Sequence, residues 1–152
     1  MKKLLLLALL LWGINTNAQR QRDRVSFSFY TTLELSKGIE IRPEFEDWYM
    51  SMYAENFILN KIFHLNWGFA VGLMKKTNYL DYYGGIKLGF INYDRTQKPS
   101  YGIEGEIDFK INEDLFIGVR GTYDRYMNSD EYYNVQGIDY SRVFVKIGYK
   151  IW

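Results

Sequence analysis

The sequence predicts an all-β protein, an eight-stranded antiparallel up-and-down transmembrane β-barrel that follows a cleavable signal peptide. Three observations carry this reading. A short cationic and apolar leader opens the chain, segments with a two-residue apolar period fill the remainder, and glycines crowd the polar side of that period.

The leader comes first. Lys2 and Lys3 precede the apolar run from Leu4 to Trp12, and the polar stretch from Gly13 to Ala18 follows. This is the form of a secretory signal peptide. Small residues Thr16 and Ala18 fit the two positions that a signal peptidase reads, which places the signal peptide at 1–18 and the barrel domain at 19–152, with Gln19 as the new N-terminus. An uncleaved anchor is the competing reading, and the run is short for a bilayer-spanning helix.

Composition narrows the classes further. The chain has no cysteine, which excludes a disulfide scaffold, a thiolate metal site and a lipid anchor on a cysteine at the cleavage point. The formal net charge is +1, and removal of Lys2 and Lys3 takes it to −1. Neither value has the basic excess of a nucleic-acid partner. Aromatic residues are abundant, with 14 Tyr, 10 Phe and 4 Trp, and membrane barrels use them at both interfaces.

Past the leader no second apolar stretch reaches helix-spanning length, so insertion into lipid has to use strands closed into a barrel. The alternation is cleanest from Ile62 to Met74, where Phe63, Leu65, Trp67, Phe69, Val71 and Leu73 share one face. His64, Asn66, Gly68, Ala70, Gly72 and Met74 share the other. The same period runs through Leu80 to Tyr93, Tyr101 to Ile111, Leu115 to Tyr123 and Val143 to Ile151. Val25, Phe27, Phe29, Thr31, Leu33 and Leu35 mark an N-terminal strand. Two further strands are expected at Gly38 to Phe45 and Asp47 to Leu59, with a tight turn at Glu46-Asp47 and an irregularity at Pro43, which lacks a ladder donor.

Polar connections are expected at Ser36-Lys37-Gly38, Asn60-Lys61, Lys75 to Asn78, Asp94 to Ser100, Asn112-Glu113-Asp114 and Met127 to Gly137. An even strand count puts both chain ends on one side, the periplasm in bacterial outer membranes. Asn112-Glu113-Asp114 is then a periplasmic turn, and the segments starting at Asp94 and Met127 are external loops.

Alternation by itself fits a soluble barrel equally well, with the faces reversed. The polar face decides between them. It carries Gly68, Gly72, Gly85, Gly89, Gly118 and Gly148. Glycine weakens a water-exposed strand, whereas a narrow eight-stranded lumen needs small residues beside long ones. Several segments also reach the roughly nine to eleven residues that cross a bilayer at a tilt. The lumen is expected to hold Glu104, Glu106, Asp108, Lys110, Arg120, Asp124, Lys146 and Lys150 in a network of salt bridges and hydrogen bonds, with no open pore.

The leader, the strand repeat and the ending Phe144-Val145-Lys146-Ile147-Gly148-Tyr149-Lys150-Ile151-Trp152 together resemble the outer-membrane β-barrel domain family, the small porin-like proteins of Gram-negative envelopes. The likeness covers most of 19–152. It implies location in the bacterial outer membrane, contact with outer-membrane lipids, and a last strand read by the barrel-assembly machinery during insertion. Trp152 departs from the pattern, because it falls on the face of Lys150 and Gly148 and not on that of Ile151.

No catalytic, cofactor or metal residue is assigned. Some barrels of this size are lipid A-modifying enzymes with a Ser, His and acidic group, and the sole histidine, His64, has no serine two residues away on its face. Glu104, Glu106 and Asp108 share a face, as glycosidase acids or ligands of a divalent cation would, but a charge ladder inside the barrel fits their neighbours better. Gly84-Gly85 lies in a strand with no helix after it, which removes a phosphate loop. Tyr123, Tyr126, Tyr132 and Tyr133 are expected in an outer aromatic girdle, with a ligand contact at the external loops as the other reading. The function expected is structural or surface-interacting and not enzymatic. The alternatives are a soluble lipocalin-like barrel for a small apolar ligand, with the Phe63 face inward, and a lipid A-modifying enzyme centred on His64.

Overall fold

The computed structural model describes residues 24–32, 36–59, 62–93, 96–127 and 137–151. The period-two segments form eight strands: β1 (Arg24–Thr31), β2 (Lys37–Glu44), β3 (Trp48–Leu59), β4 (Ile62–Lys76), β5 (Leu80–Tyr93), β6 (Thr96–Lys110), β7 (Leu115–Met127) and β8 (Gly137–Ile151). Each pairs antiparallel with its neighbour in sequence, and β1 also pairs with β8 from Val25↔Ile151 to Thr31↔Val145, which closes the barrel. Closure leaves no strand edge whose N–H and C=O groups would face hydrocarbon unsatisfied.

The faces divide as the alternation requires. On β4, Phe63 is 60% exposed and the adjacent His64 only 2%, and the same contrast repeats along the strand between Phe69 or Leu73 outside and Ala70 or Met74 inside. Ile103, Ile107 and Phe109 on β6, Ile117 and Val119 on β7, and Val143, Val145 and Ile147 on β8 continue the outward apolar belt. This orientation corrects the soluble lipocalin-like alternative, which needs the Phe63 face turned inward.

The outward positions also mark where the belt stops. Lys37, Lys75, Arg125 and Asp139 are the charged residues on the outward face of the described strands, and all lie toward strand ends. Arg125 and Asp139 pair at 3.3 Å, each more than 40% exposed, beside Tyr101 and Tyr123. At the opposite end Phe45 stacks on Trp48 with ring centroids 4.0 Å apart, and Tyr149 donates to Asp114. Amphipathic rings at both rims suit headgroup depth.

Three tight turns close one end. Phe45 N–H donates to Trp48 O, Thr77 N–H to Leu80 O, and Ile111 N–H to Leu115 O. Asn112 fixes the last of these by accepting from the N–H groups of Asp114 and Leu115 through Oδ1, at 2.9 and 2.7 Å. An Asx side chain in this position mimics a backbone turn.

Some expected boundaries shift. Lys37-Gly38, Lys75-Lys76 and Thr96 to Ser100 belong to strands, not connections, since their ladders continue: Tyr93↔Thr96, Ile91↔Lys98 and Gly89↔Ser100 run past the expected loop. Polar side chains do not break a ladder once the strand has left the hydrocarbon, so polarity misplaces the loop there. The turn at Glu46-Asp47 is present, and the β2–β3 register skips Arg42 and Pro43, where proline lacks its donor. The expected signal peptide and its cleavage point, Leu33 and Leu35, Asn60-Lys61, Asp94, Tyr132, Tyr133 and Trp152 lie outside the described residues.

The wall varies in height. β1 and β2 have 8 residues each, and β4, β6 and β8 have 15. A direct check of the outward belt is the fluorescence of residues 19–152 carrying Trp48→Phe with Trp152→Phe, in which Trp67 is the only tryptophan. In bilayers its emission should be quenched by brominated acyl chains and spared by aqueous acrylamide; the reverse pattern would place Trp67 inside.

Candidate functional site: the barrel lumen

Inward residues of eight strands meet in a space narrow enough for opposite walls to touch, and the polar half of each strand therefore determines what the lumen contains. Arg42 on β2 reaches across to β6, donating from Nη1 to Glu106 at 2.6 Å and from Nη2 to Asp108 at 2.8 Å. Its guanidinium also lies over the Tyr83 ring, 3.7 Å from the centroid. A planar fork suits this double role, since it binds two acceptors while its face stacks on an aromatic ring.

Below Arg42, Lys150 donates to Asp81 at 2.6 Å and to Glu44 at 3.4 Å, Lys76 pairs with Glu44, and Tyr83 donates to Glu44 at 2.9 Å. At mid-height Lys146 joins Glu40 on β2 to Glu106 on β6, and Arg120 joins Glu104 to Glu55. Tyr49 donates to Glu104 at 2.6 Å. Higher, Glu55 and Asp124 share two cations, Lys87 at 3.2 Å from both and Arg142, while Tyr30 donates to Glu55 at 3.1 Å. These groups are buried almost completely. An unpaired charge there would carry a desolvation cost of several kcal/mol, which the opposite charge and the surrounding donors offset.

Above the ion pairs the lumen becomes aromatic. Phe57, Ile91 and Tyr126 pack together with Tyr140 against them, and His64 stacks on Phe57 at 5.1 Å. Asn66 donates to Tyr140 OH and accepts from Ser100. His64 is thus held against an aromatic ring inside the wall. Tyr126, expected in the outer girdle, points into the lumen with 3% exposure, because it shares the inward parity of Asp124 and Thr122; Tyr123 faces outward as expected.

The lumen glycines have a definite steric use. A Cβ on Gly38 would collide with the Tyr30 ring, on Gly148 with the Phe116 ring, and on Gly89 it would lie 2.7 Å from Tyr53 OH. Gly85 faces Tyr49 OH in the same manner, and Gly118 makes room for the Asp108 carboxylate. The space is shared between aromatic side chains at Gly38, Gly85, Gly89 and Gly148, carboxylates at Gly102 and Gly118, and close backbone approach at Gly68 and Gly72, and not given to charged side chains alone as expected.

All eight lumen residues predicted from the sequence are inside or at its rim. Glu104 pairs with Arg120, while Glu106 and Asp108 share Arg42 and Glu106 also meets Lys146, so the three form the charge ladder; among the described residues no group of three His, Cys, Asp or Glu side chains is arranged to hold a metal ion. Asp81 and Lys87 turn inward with the polar face expected of Leu80 to Tyr93, whereas sequence reasoning missed Glu40, Arg42, Glu44, Glu55 and Arg142, and with them the inward rings of Tyr30, Tyr49, Tyr53 and Tyr83. A signal for the first three existed, since Glu40, Arg42 and Glu44 alternate with Ile39 and Ile41.

Removing one member of this network should cost more than removing a matched pair. Arg42→Met leaves Glu106 and Asp108 without their shared cation and is expected to lower stability by about 3–5 kcal/mol in urea titrations of the bilayer-inserted protein. Adding Glu106→Gln with Asp108→Asn should recover much of the loss. Equal stability of wild type and Arg42→Met would contradict a structural role for this bridge.

No protein-family model and no curated protein matches the chain in sequence. Solved structures do match its fold. The N-terminal β-barrel domain of Pseudomonas aeruginosa OprF superposes with a TM-score of 0.61 at 11% identity, over 85% of this chain and 96% of that one. Neisserial surface protein A gives a TM-score of 0.56 at 9% identity, over 85% and 93%. The Yersinia pestis outer membrane protein Ail, solved in a phospholipid bilayer nanodisc, gives 0.53 at 13% identity, over 85% and 98%. With its apolar belt outward and its charges enclosed, the chain is an eight-stranded antiparallel transmembrane β-barrel that shares the fold of small bacterial outer-membrane proteins.

Proposed function

We propose that this barrel is a non-enzymatic integral protein of the bacterial outer membrane whose lumen is plugged by its own side chains and whose role is structural or surface-interacting. The observation that carries the reading is the set of ion pairs joining opposite walls: Arg42 to Glu106 and Asp108, Arg120 to Glu55, and Lys150 to Asp81. A conducting pore needs a continuous polar path of mobile water, and these bridges cross the axis at successive heights. The expected leader at 1–18 would deliver the chain to the envelope, and the last strand would present it to the barrel-assembly machinery. Contact with an extracellular ligand would fall to the end that carries the 128–136 connection, the longest between strands.

The lipid-modifying alternative has less support. His64 is 2% exposed and stacked on Phe57, so a scissile ester in the surrounding lipid would have no path to its imidazole without rearrangement of the wall. Two measurements test the proposal. Purified protein in planar bilayers should give no discrete conductance steps, and sustained ion-selective steps would overturn the plugged lumen. Cells carrying His64→Ala should show the same lipid A mass profile as wild type; a lost or gained acyl chain would restore the enzymatic reading.

A further inference from the structure

The outward belt is not uniformly convex. Across β1, β2, β3 and β4 the register aligns Phe29, Ile39, Ala54 and Trp67 in one row, and Ala54 is the small residue among large ones. A trough of about 720 Å³ opens there, with Phe29, Ile39, Leu65 and Ile147 as its apolar walls and Ala54 in its floor. One end is polar. Thr31, Lys37 and Asn56 line it, Asn56 Oδ1 accepts the backbone N–H of Lys37 at 2.9 Å, and the exposed Lys37 makes no ion pair among the described residues.

We propose that this trough is a binding site for one anionic phospholipid-like molecule of the outer leaflet, its acyl chain along Ala54 and its phosphate at Lys37. The inference rests on the outer-membrane reading above, which turns the Thr31–Lys37 end of the hairpin outward. Taking roughly 30 Å³ per methylene, the volume of a water in the liquid, the trough holds about two dozen methylenes, one long chain or two short ones. Hydrocarbon gains no hydrophobic free energy by moving from bulk lipid to an apolar wall, since lipid tails are as apolar as leucine. Retention of the chain therefore depends on close packing in the depression, and selection depends on the headgroup. Other outward charges give no such site. Arg125 is neutralised by Asp139, and Lys75 lies at the end closed by the tight turns. Lys37 is the cation at the same end as the 128–136 connection that borders an apolar depression.

The test uses the full mature chain inserted into vesicles of equimolar phosphatidylcholine and phosphatidylglycerol, with retained lipids counted by native mass spectrometry. Wild type should keep one phosphatidylglycerol. Ala54→Trp, which fills the floor from the lipid side, should lower that occupancy about tenfold, equivalent to ~1.4 kcal/mol. Lys37→Gln should reduce the preference for phosphatidylglycerol over phosphatidylcholine about fivefold, the effect of one basic residue near an anionic surface. Ile86→Trp, on the outward face of β5, should match wild type. Equal retention by wild type and Ala54→Trp, no headgroup preference in wild type, or a second protein copy in place of lipid would overturn the site. Each variant is scored only on its heat-modifiable, inserted fraction. If wild type itself fails to insert, the membrane reading falls; insertion without retention removes the lipid site alone.

Discussion

The backbone in hydrocarbon has no water to bond to, and the rest of this molecule depends on that constraint. Strands can cross only as a closed sheet, and with eight of them the closed sheet encloses a lumen about as wide as the side chains that fill it. The alternation of the strand then forces a division of labour. Every residue sent outward meets lipid, and each following residue enters a confined space where it must find a partner on the opposite wall. Arg42 meeting Glu106 and Asp108, and Lys150 meeting Asp81, are consequences of closure as much as of charge.

Confinement also governs size. Tyr30, Tyr49, Tyr53 and Phe116 are large for so narrow a lumen, and each lies over a glycine: Gly38, Gly85, Gly89 and Gly148 respectively. At Gly38 and Gly148 the ring itself covers the backbone that the missing side chain exposes, as in aromatic rescue of glycine in designed sheets, while at Gly85 and Gly89 the tyrosine hydroxyl takes the space. The same rings then serve the electrostatics. Tyr49 and Tyr30 donate to Glu104 and Glu55, and the Tyr83 ring supports the Arg42 guanidinium while its hydroxyl donates to Glu44. Packing and charge pairing are therefore one problem here, solved by residues of adjacent, next-but-one and opposite strands together.

The barrel was readable from the sequence because its faces differ so sharply. From β4 to β8 the apolar positions are mostly bulky, broken on the outward face by Gly84, Gly105 and Gly121, and the parity of Glu104, Arg120 and Lys146 follows at once. Legibility fails where parity is harder to see. In β2, Pro43 falls on the outward face among the isoleucines, and in β3 the inward set Tyr49, Ser51, Tyr53, Glu55 and Phe57 is as aromatic as any lipid-facing row. Hydrophobicity could not orient β3, and in β2 the proline cut short an alternation that was otherwise present, so Glu40, Arg42, Glu44 and Glu55 stayed hidden. Tyr126 shows the same limit, since a tyrosine near a strand end suits a girdle and a lumen cap alike, and only the register separates them. The partner across the axis is less legible still: nothing local to Arg42 names β6, and only the closed topology brings them together.

Burying this many charges needs a reason, since well-packed apolar residues of similar volume can stabilise an interior as well as ion pairs do. The route to the membrane supplies one. A β4 with apolar residues on its inward face as well would be a continuous hydrophobic run from Ile62 to Met74, unbroken until Lys75, in the length range of interfacial and signal-type segments. Such a segment, met unfolded on the way out of the cell, would be a candidate for retention at the wrong membrane or for aggregation. Interposing His64, Asn66 and Gly68 between Phe63, Leu65, Trp67 and Phe69 keeps every segment amphipathic only as a strand. The charges become acceptable once closure gives them partners. On this argument the lumen network stabilises the folded barrel, and its residues are polar because the unfolded chain has to travel.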